Sequence, residues 1–224
     1  MIAALDIYEA LYTTRAMRRV KPDPIPPEVQ ARILDAAVRA PSGGNTQNWR
    51  FLLVDDPDLR AKIGPLYREC IDRLWETIYA DRVSEARANP DAPGSKATLA
   101  MVASVEHAAD HFADYPLLLF AFQRGDTSGG SIFPSIWSAQ LAARAEGVGS
   151  SLTTVLAFKG DAVPDLLGVP GDEGWKMAAC VPMGYPTGPW GVAKRKPAHE
   201  VAYRNTWGTD VGFEIDEPLW HPDT

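Results

Sequence analysis

Seven consecutive residues, Pro116-Leu117-Leu118-Leu119-Phe120-Ala121-Phe122, carry no polar side chain. Strict alternation would mark a strand with one wet face. A short run that is apolar at every position marks a strand buried on both faces. Such a strand must sit inside a sheet that is covered on each side, and the rest of the chain supplies the cover. Apolar spacing of three and four predicts helices over 6–13, 58–79, 97–111, 135–146 and 161–167. Another opens at Pro27-Glu28 and stops before Pro41-Ser42-Gly43-Gly44, with proline at the first-turn position it tolerates. Arg50 to Val54 and Trp175 to Pro182 read as strands, and Ser150 to Val155 as a turn or short strand. The Asn-Pro and Pro-Gly pairs between Arg87 and Ser95 predict a loop. Helix and strand patterns alternate, which argues for a mixed α/β domain.

The 224 residues are 46% hydrophobic and 23% charged, ordinary for one globular domain. A net charge of −7 gives no electrostatic reason to bind nucleic acid. No apolar run reaches the roughly 18 residues a membrane helix needs. The N-terminus lacks a basic start followed by an apolar stretch, so the expected location is cytoplasmic. Cys70 and Cys180 are far apart and set among apolar residues, which predicts core packing rather than a disulfide. The domain is expected over 1–185. Residues 186–224 are rich in proline yet keep Trp190, Tyr203, Trp207, Phe213 and Leu219. Aromatics without periodicity predict an extended arm that packs on something, and a partner subunit is the expected surface.

Four stretches could carry chemistry. Arg15, Arg18, Arg19 and Lys21 put four cations into seven residues of an acidic chain, and guanidinium forks suit phosphate oxygens. A solvated basic loop is the plainer reading. Pro41 to Phe51 joins a helix to a strand through Ser42, Gly43, Gly44, Asn45, Gln47 and Asn48. Its glycines let a ligand approach the backbone, and its amides match a heterocycle's carbonyls and ring nitrogens. Gly147 to Val155 offers free backbone donors and hydroxyls, as many helix-to-strand turns do. Lys194-Arg195-Lys196 is a second basic cluster, and folding must join it to the first if both face one phosphate. His107 and His111, four apart on a predicted helix beside Glu106 and Asp110, have a spacing that can bind metal. Without a His-Glu-x-x-His form they read as solvent-facing polar residues, and no metal is expected. No Gly-x-Ser-x-Gly supports Ser42 as a hydrolase nucleophile, and no Gly-x-Gly-x-x-Gly opens a helix.

Taken in order, these stretches resemble the nitroreductase family of FMN enzymes. The resemblance runs through Thr14-Arg15-Ala16-Met17-Arg18, Lys21 to Pro26, Pro41 to Trp49, Gly147-Val148-Gly149, Gly184-Tyr185-Pro186 and Arg195-Lys196-Pro197. It implies an α+β fold, with a mostly antiparallel central sheet flanked by helices. It also implies a homodimer built across a long helix, either that from Asp58 or that from Ser135, with the C-terminal arm wrapping the partner and FMN at the interface. By position, the FMN-binding set would be Thr14, Arg15, Ala16, Met17, Arg18, Pro41, Ser42, Asn45, Gln47, Leu152, Thr153, Thr154 and Arg195. Arg15, Arg18 and Arg195 would hold the phosphate, and Thr154 would reach flavin N5. Thr14 and Ala16 stand where the family usually has Arg and Ser, removing one charge and one hydroxyl. The flavin carries the chemistry, so no catalytic side chain is assigned. The implied reaction is ping-pong: NADH or NADPH reduces the flavin, and a nitroaromatic, a quinone or another small conjugated acceptor reoxidises it. The alternatives are dehalogenation, dehydrogenation or flavin breakdown on the same cofactor, or a flavin-binding protein without turnover.

Overall fold

The computed structural model describes residues 5–221. Its sheet contains β1 (Trp49–Val54), β2 (Leu117–Gln123), β3 (Gly149–Ser150) and β4 (Lys176–Gly184), in the order β1-β2-β4-β3. Every neighbouring pair is antiparallel. The all-apolar run is β2, an inner strand. Because side chains alternate across a strand, its two sets face different cores. Leu117, Leu119 and Ala121 join one cluster with Ile33, Ala37, Ile132, Ile136 and Ala139. Leu118, Phe120 and Phe122 join the other with Ile63, Tyr67, Ile71, Phe112 and Tyr115.

Among the described residues, seven α-helices supply the cover: α1 (Ile7–Thr13), α2 (Pro27–Ala37), α3 (Pro57–Glu76), α4 (Ala80–Ala88), α5 (Ser95–Asp110), α6 (Ile132–Ala145) and α7 (Ala162–Leu166). Helices α2 and α6 cover the first face of the sheet, and α3 and α5 cover the second. Each fully buried isoleucine, such as Ile33 or Ile136, contributes about 1.5–3 kcal/mol by leaving water. The last-turn carbonyl of Ala37 accepts a bond from the buried Ser135 hydroxyl at 2.7 Å, satisfying a group that a helix end leaves open. At the other end of this helix pair, Arg32 makes a forked contact with Glu146, at 2.8 and 2.7 Å.

Two expectations change. The helix expected over 58–79 breaks at Thr77, whose φ/ψ of −120/−84 is not helical. A separate α4 follows, burying Val83 and Ala86. The arm, expected around a partner, returns along its own chain. The Thr187 amide donates to Arg19 O at 3.0 Å and the Ala193 amide to Tyr12 O at 3.2 Å. Trp190 lies under the Arg144 guanidinium, and Trp220 meets Tyr12. These contacts use part of the arm's aromatic surface within one subunit, while Trp207 and Leu219 stay exposed. Cys70 and Cys180 are free and buried. Among the described residues no helix is long and apolar enough to cross a membrane.

Candidate functional site

The short edge strand β3 organises the basic segment. Ala16 bridges Ser150 in the parallel sense, and the Met17 amide donates to Ser150 O at 3.0 Å. Further along, the Lys21 amide donates to Tyr185 O at 2.7 Å. Met17 is buried directly over Gly149. A Cβ on Gly149 would come within 2.8 Å of Met17 Cβ, so only glycine permits this approach. The segment is thus pinned at both ends while Arg15 stays exposed and Arg18 half-buried. The Arg18 carbonyl accepts from the Tyr115 hydroxyl at 2.8 Å. Burial raises the Tyr115 pKa above the ordinary phenol range, so it remains a donor.

The basic cluster of the arm comes to the residue that precedes Arg15. Arg195 and Lys196 line one cavity of about 530 Å³ with Thr14, Tyr12 and Trp137. Arg15 Nη2 donates to Pro189 O at 3.2 Å, holding the arm's first turn beside the segment. Thr14 is buried, and its Oγ1 has no hydrogen-bond partner among the described residues. A buried hydroxyl without a partner costs about 1–3 kcal/mol. It marks a place where an acceptor would be stabilised.

Beyond β3 the chain alternates. The amides of Ser151 and Thr153 donate to Pro182 O and Cys180 O, at 3.1 and 2.9 Å. Leu152 and Thr154 are exposed, and neither amide donates to another backbone group among the described residues. Thr154 therefore offers both an amide and a hydroxyl outward. The Thr153 amide is used by the sheet, and its hydroxyl lies beside that of Tyr67.

The amide-rich loop lies elsewhere. Residues 41–48 lead into Trp49, which pairs with Gln123 at one end of the sheet, whereas Gly149 pairs with Gly184 at the other. The six residues of β1 separate the two ends by roughly 20 Å at about 3.3 Å per residue. The loop is bonded mainly to itself: the Gln47 amide donates to Ser42 Oγ at 3.2 Å, and Gln47 Nε2 to Asn45 Oδ1 at 3.1 Å. Two ties lead outward: the Gly43 amide donates to Ser131 Oγ at 3.3 Å, and the Arg124 amide to Asn48 O at 3.1 Å. Asn45 and Gln47 have φ of +53° and +50°, the left-handed region that non-glycine residues rarely adopt. The chain thus holds Ala16 and Met17 against Ser150, just before Leu152 to Thr154, and brings Arg195 to the cavity lined by Thr14, while Pro41, Ser42, Asn45 and Gln47 lie toward the other end of the sheet.

The sequence reading passed over one group. His107 and His111, weighed only as metal ligands, line a cavity with Arg18, Arg19 and Arg60. Their rings are 4.5 Å apart, and no group of three metal-ligating side chains occurs among the described residues. Their spacing was the available signal; their neighbours come from three other parts of the chain.

The profile of the Nitroreductase family matches residues 11–185. The chain belongs to the Nitroreductase family. Iodotyrosine deiodinase 1 of Rattus norvegicus is 38% identical over 80 residues, 36% of this chain and 27% of that protein. The aligned part thus spans about a quarter of the deiodinase. The 5,6-dimethylbenzimidazole synthase of Rhodobacter capsulatus is 32% identical over 181 residues, covering 80% of this chain and 82% of the synthase. Among solved structures, oxidized iodotyrosine deiodinase bound to FMN and 3-iodo-L-tyrosine superposes with a TM-score of 0.69. That superposition has 23% identity and covers 90% of this chain and 99% of the other, so it speaks for the fold.

Proposed function

We propose that this chain is an FMN-dependent oxidoreductase, with the flavin held between two copies, acting on an aromatic ring of the halophenol class. One observation carries the flavin reading. The Arg15–Arg18 segment is locked beside Ser150, next to the orphaned Thr14 hydroxyl and the arm's Arg195. That donor set fits a phosphate: guanidinium forks, a lysine and a hydroxyl needing an acceptor. The shortfall in charge at Thr14 is made up by Arg195 and Lys196. In this reading Thr154 presents its hydroxyl and amide toward the flavin ring. FMN, when bound, supplies the electron transfer; the chain binds and orients it.

The separated loop supports the pairing of two copies. Ser42, Asn45 and Gln47 reach a flavin held at Arg15 only if they come from a second subunit. The exposed apolar residues Ile7, Tyr8 and Leu11 of α1, with Phe133 and Trp137 of α6, offer a surface for that pairing. Of the two helices proposed from sequence for the dimer core, α6 carries this surface, whereas α3 spends Ile63, Tyr67 and Ile71 on its own core.

The choice of acceptor rests on the deiodinase likeness, in the curated relatives and in the fold. It favours dehalogenation over NAD(P)H-driven reduction of a broad set of nitroaromatics and quinones. A second reading, breakdown of flavin itself, is favoured by the synthase that aligns over four-fifths of this chain.

The test has two stages. Purified protein is given FMN and its spectrum recorded. Failure to retain flavin would remove the whole reading. The loaded protein is then reduced anaerobically with NADH, NADPH or dithionite and offered a 2-iodophenol or a nitroaromatic. Iodide release identifies dehalogenation. Fast nitro reduction without iodide release restores the broader nitroreductase reading, and loss of the flavin spectrum under oxygen supports the second reading. Subunit sharing is tested by mixing Arg18→Ala chains with Asn45→Ala/Gln47→Ala chains. A divided site regains flavin binding in the mixed dimer, and a site within one chain does not.

A further inference from the structure

At the end of the sheet that holds Arg18, a second cavity of about 610 Å³ opens between the start of α3, the end of α5 and residues 18–22. Its walls carry Arg18, Arg19, Arg60, His107 and His111, against a single carboxylate, Asp114. The chain as a whole is acidic, at −7, so this is a concentration of cations against the overall charge. Asp114 is engaged by His111, Nδ1 to Oδ2 at 2.8 Å. Neither Arg18 nor Arg19 forms an ion pair among the described residues. Arg18 makes one long contact, 3.4 Å to Ser104 Oγ, and Arg19 is exposed.

Arg60 gives the cluster its depth. Its Nη1 donates to the carbonyls of Ala113 and Tyr115, which fixes the guanidinium at the base of α5. Its Nε is buried with no hydrogen-bond partner among the described residues. A buried guanidinium donor without an acceptor is costly, and an oxyanion is the acceptor that matches its fork. Burial, with Arg19 and His111 nearby, also holds His107 below the usual imidazole range. Fixed and flexible cations thus surround one cavity, and among the described residues Arg18 and Arg19 lack an ion pair and Arg60 Nε lacks an acceptor.

We propose that this cavity binds the oxyanion group, a carboxylate or a phosphate, of a small ligand. The proposal extends the flavin reading through Arg18 alone; Arg19, Arg60, His107 and His111 lie outside the residues assigned to FMN.

The test does not depend on turnover. Inorganic phosphate and benzoate are titrated separately into protein supplied with FMN, while the His107 and His111 ring resonances are followed by NMR. Flavin retention is read by absorbance in the same samples. Saturable shifts are expected with at least one anion, weakened at least tenfold in Arg19→Gln/His111→Gln, with FMN retention unchanged. Preference for phosphate identifies a phosphorylated ligand, and preference for benzoate an aromatic acid. Absence of saturable shifts with either anion, or equal binding by the double variant, overturns the proposal. Loss of FMN with anion binding intact would instead count against the flavin reading alone.

Discussion

The segment 14–21 and the loop 41–48 are both polar, and both resemble family motifs, yet they are held in opposite ways. The first is bonded to β3 and to the residues after β4, and Met17 is buried over Gly149. The second is exposed along most of its length, bonded mainly to itself, and contains two left-handed non-glycine residues. The first has its geometry set by the sheet. The second stores backbone strain, on the order of 1–3 kcal/mol per residue, that a contact from outside the chain would justify. The divided site proposed above would place rigidity on one side and adaptability on the other.

The sharpest way to break this contrast is Gly149→Val. Forcing a branched side chain against Met17 should cost about 1–3 kcal/mol of stability and abolish FMN retention. An unchanged Tm with normal flavin binding would mean that the segment is not held by this contact. Next is Arg18→Ala, which should weaken FMN binding by about 1.5–3 kcal/mol through loss of a charge-assisted contact. Equal affinity in an equilibrium titration would take Arg18 out of the flavin site. On the other side of the contrast, Asn45→Gly/Gln47→Gly should leave stability within about 1 kcal/mol of the parent, because glycine accepts the left-handed backbone. Flavin affinity should still fall, through loss of the side-chain amides. A large drop in Tm would show that the loop supports the fold as the first segment does.

The smallest effect concerns the α2–α6 pair that underlies both regions. The forked bond from Arg32 is the main reason that the Glu146 carboxyl sits below its usual pKa. A depressed carboxyl contributes stability that is present above the unfolded value, about 4.3, and is lost as pH falls through the folded value. Arg32→Gln should therefore lower Tm slightly at neutral pH and not at all below the carboxylate range. A difference that persists in acid would place the effect in packing.

The elements with strong local signals were legible from sequence. The apolar run of β2 and the proline-opened α2 needed no long-range information. Helix α4 was missed because it buries little beyond Val83 and Ala86, too narrow a stripe to register. Strand order was beyond reach, since β1 pairs with β2 and β3 with β4 across long stretches of intervening sequence. The site motifs could be found individually, and so could their order along the chain. Their division between opposite ends of the sheet depends on strand pairing and could not be read. The cavity around His107 needed Arg18, Arg19 and Arg60 to converge from separate parts of the chain, and no local pattern encodes that.

The alternation after β3 carries one more consequence. Ser151 and Thr153 point their amides into the sheet while Leu152 and Thr154 look outward. The stretch therefore behaves like text with a two-letter reading frame. Substituting Thr154 edits one word, whereas inserting or deleting a single residue between Ser150 and Thr153 shifts the frame and turns the message inside out. Descendants of this chain can be retuned there letter by letter, but their length at this point is constrained by the sheet beside it.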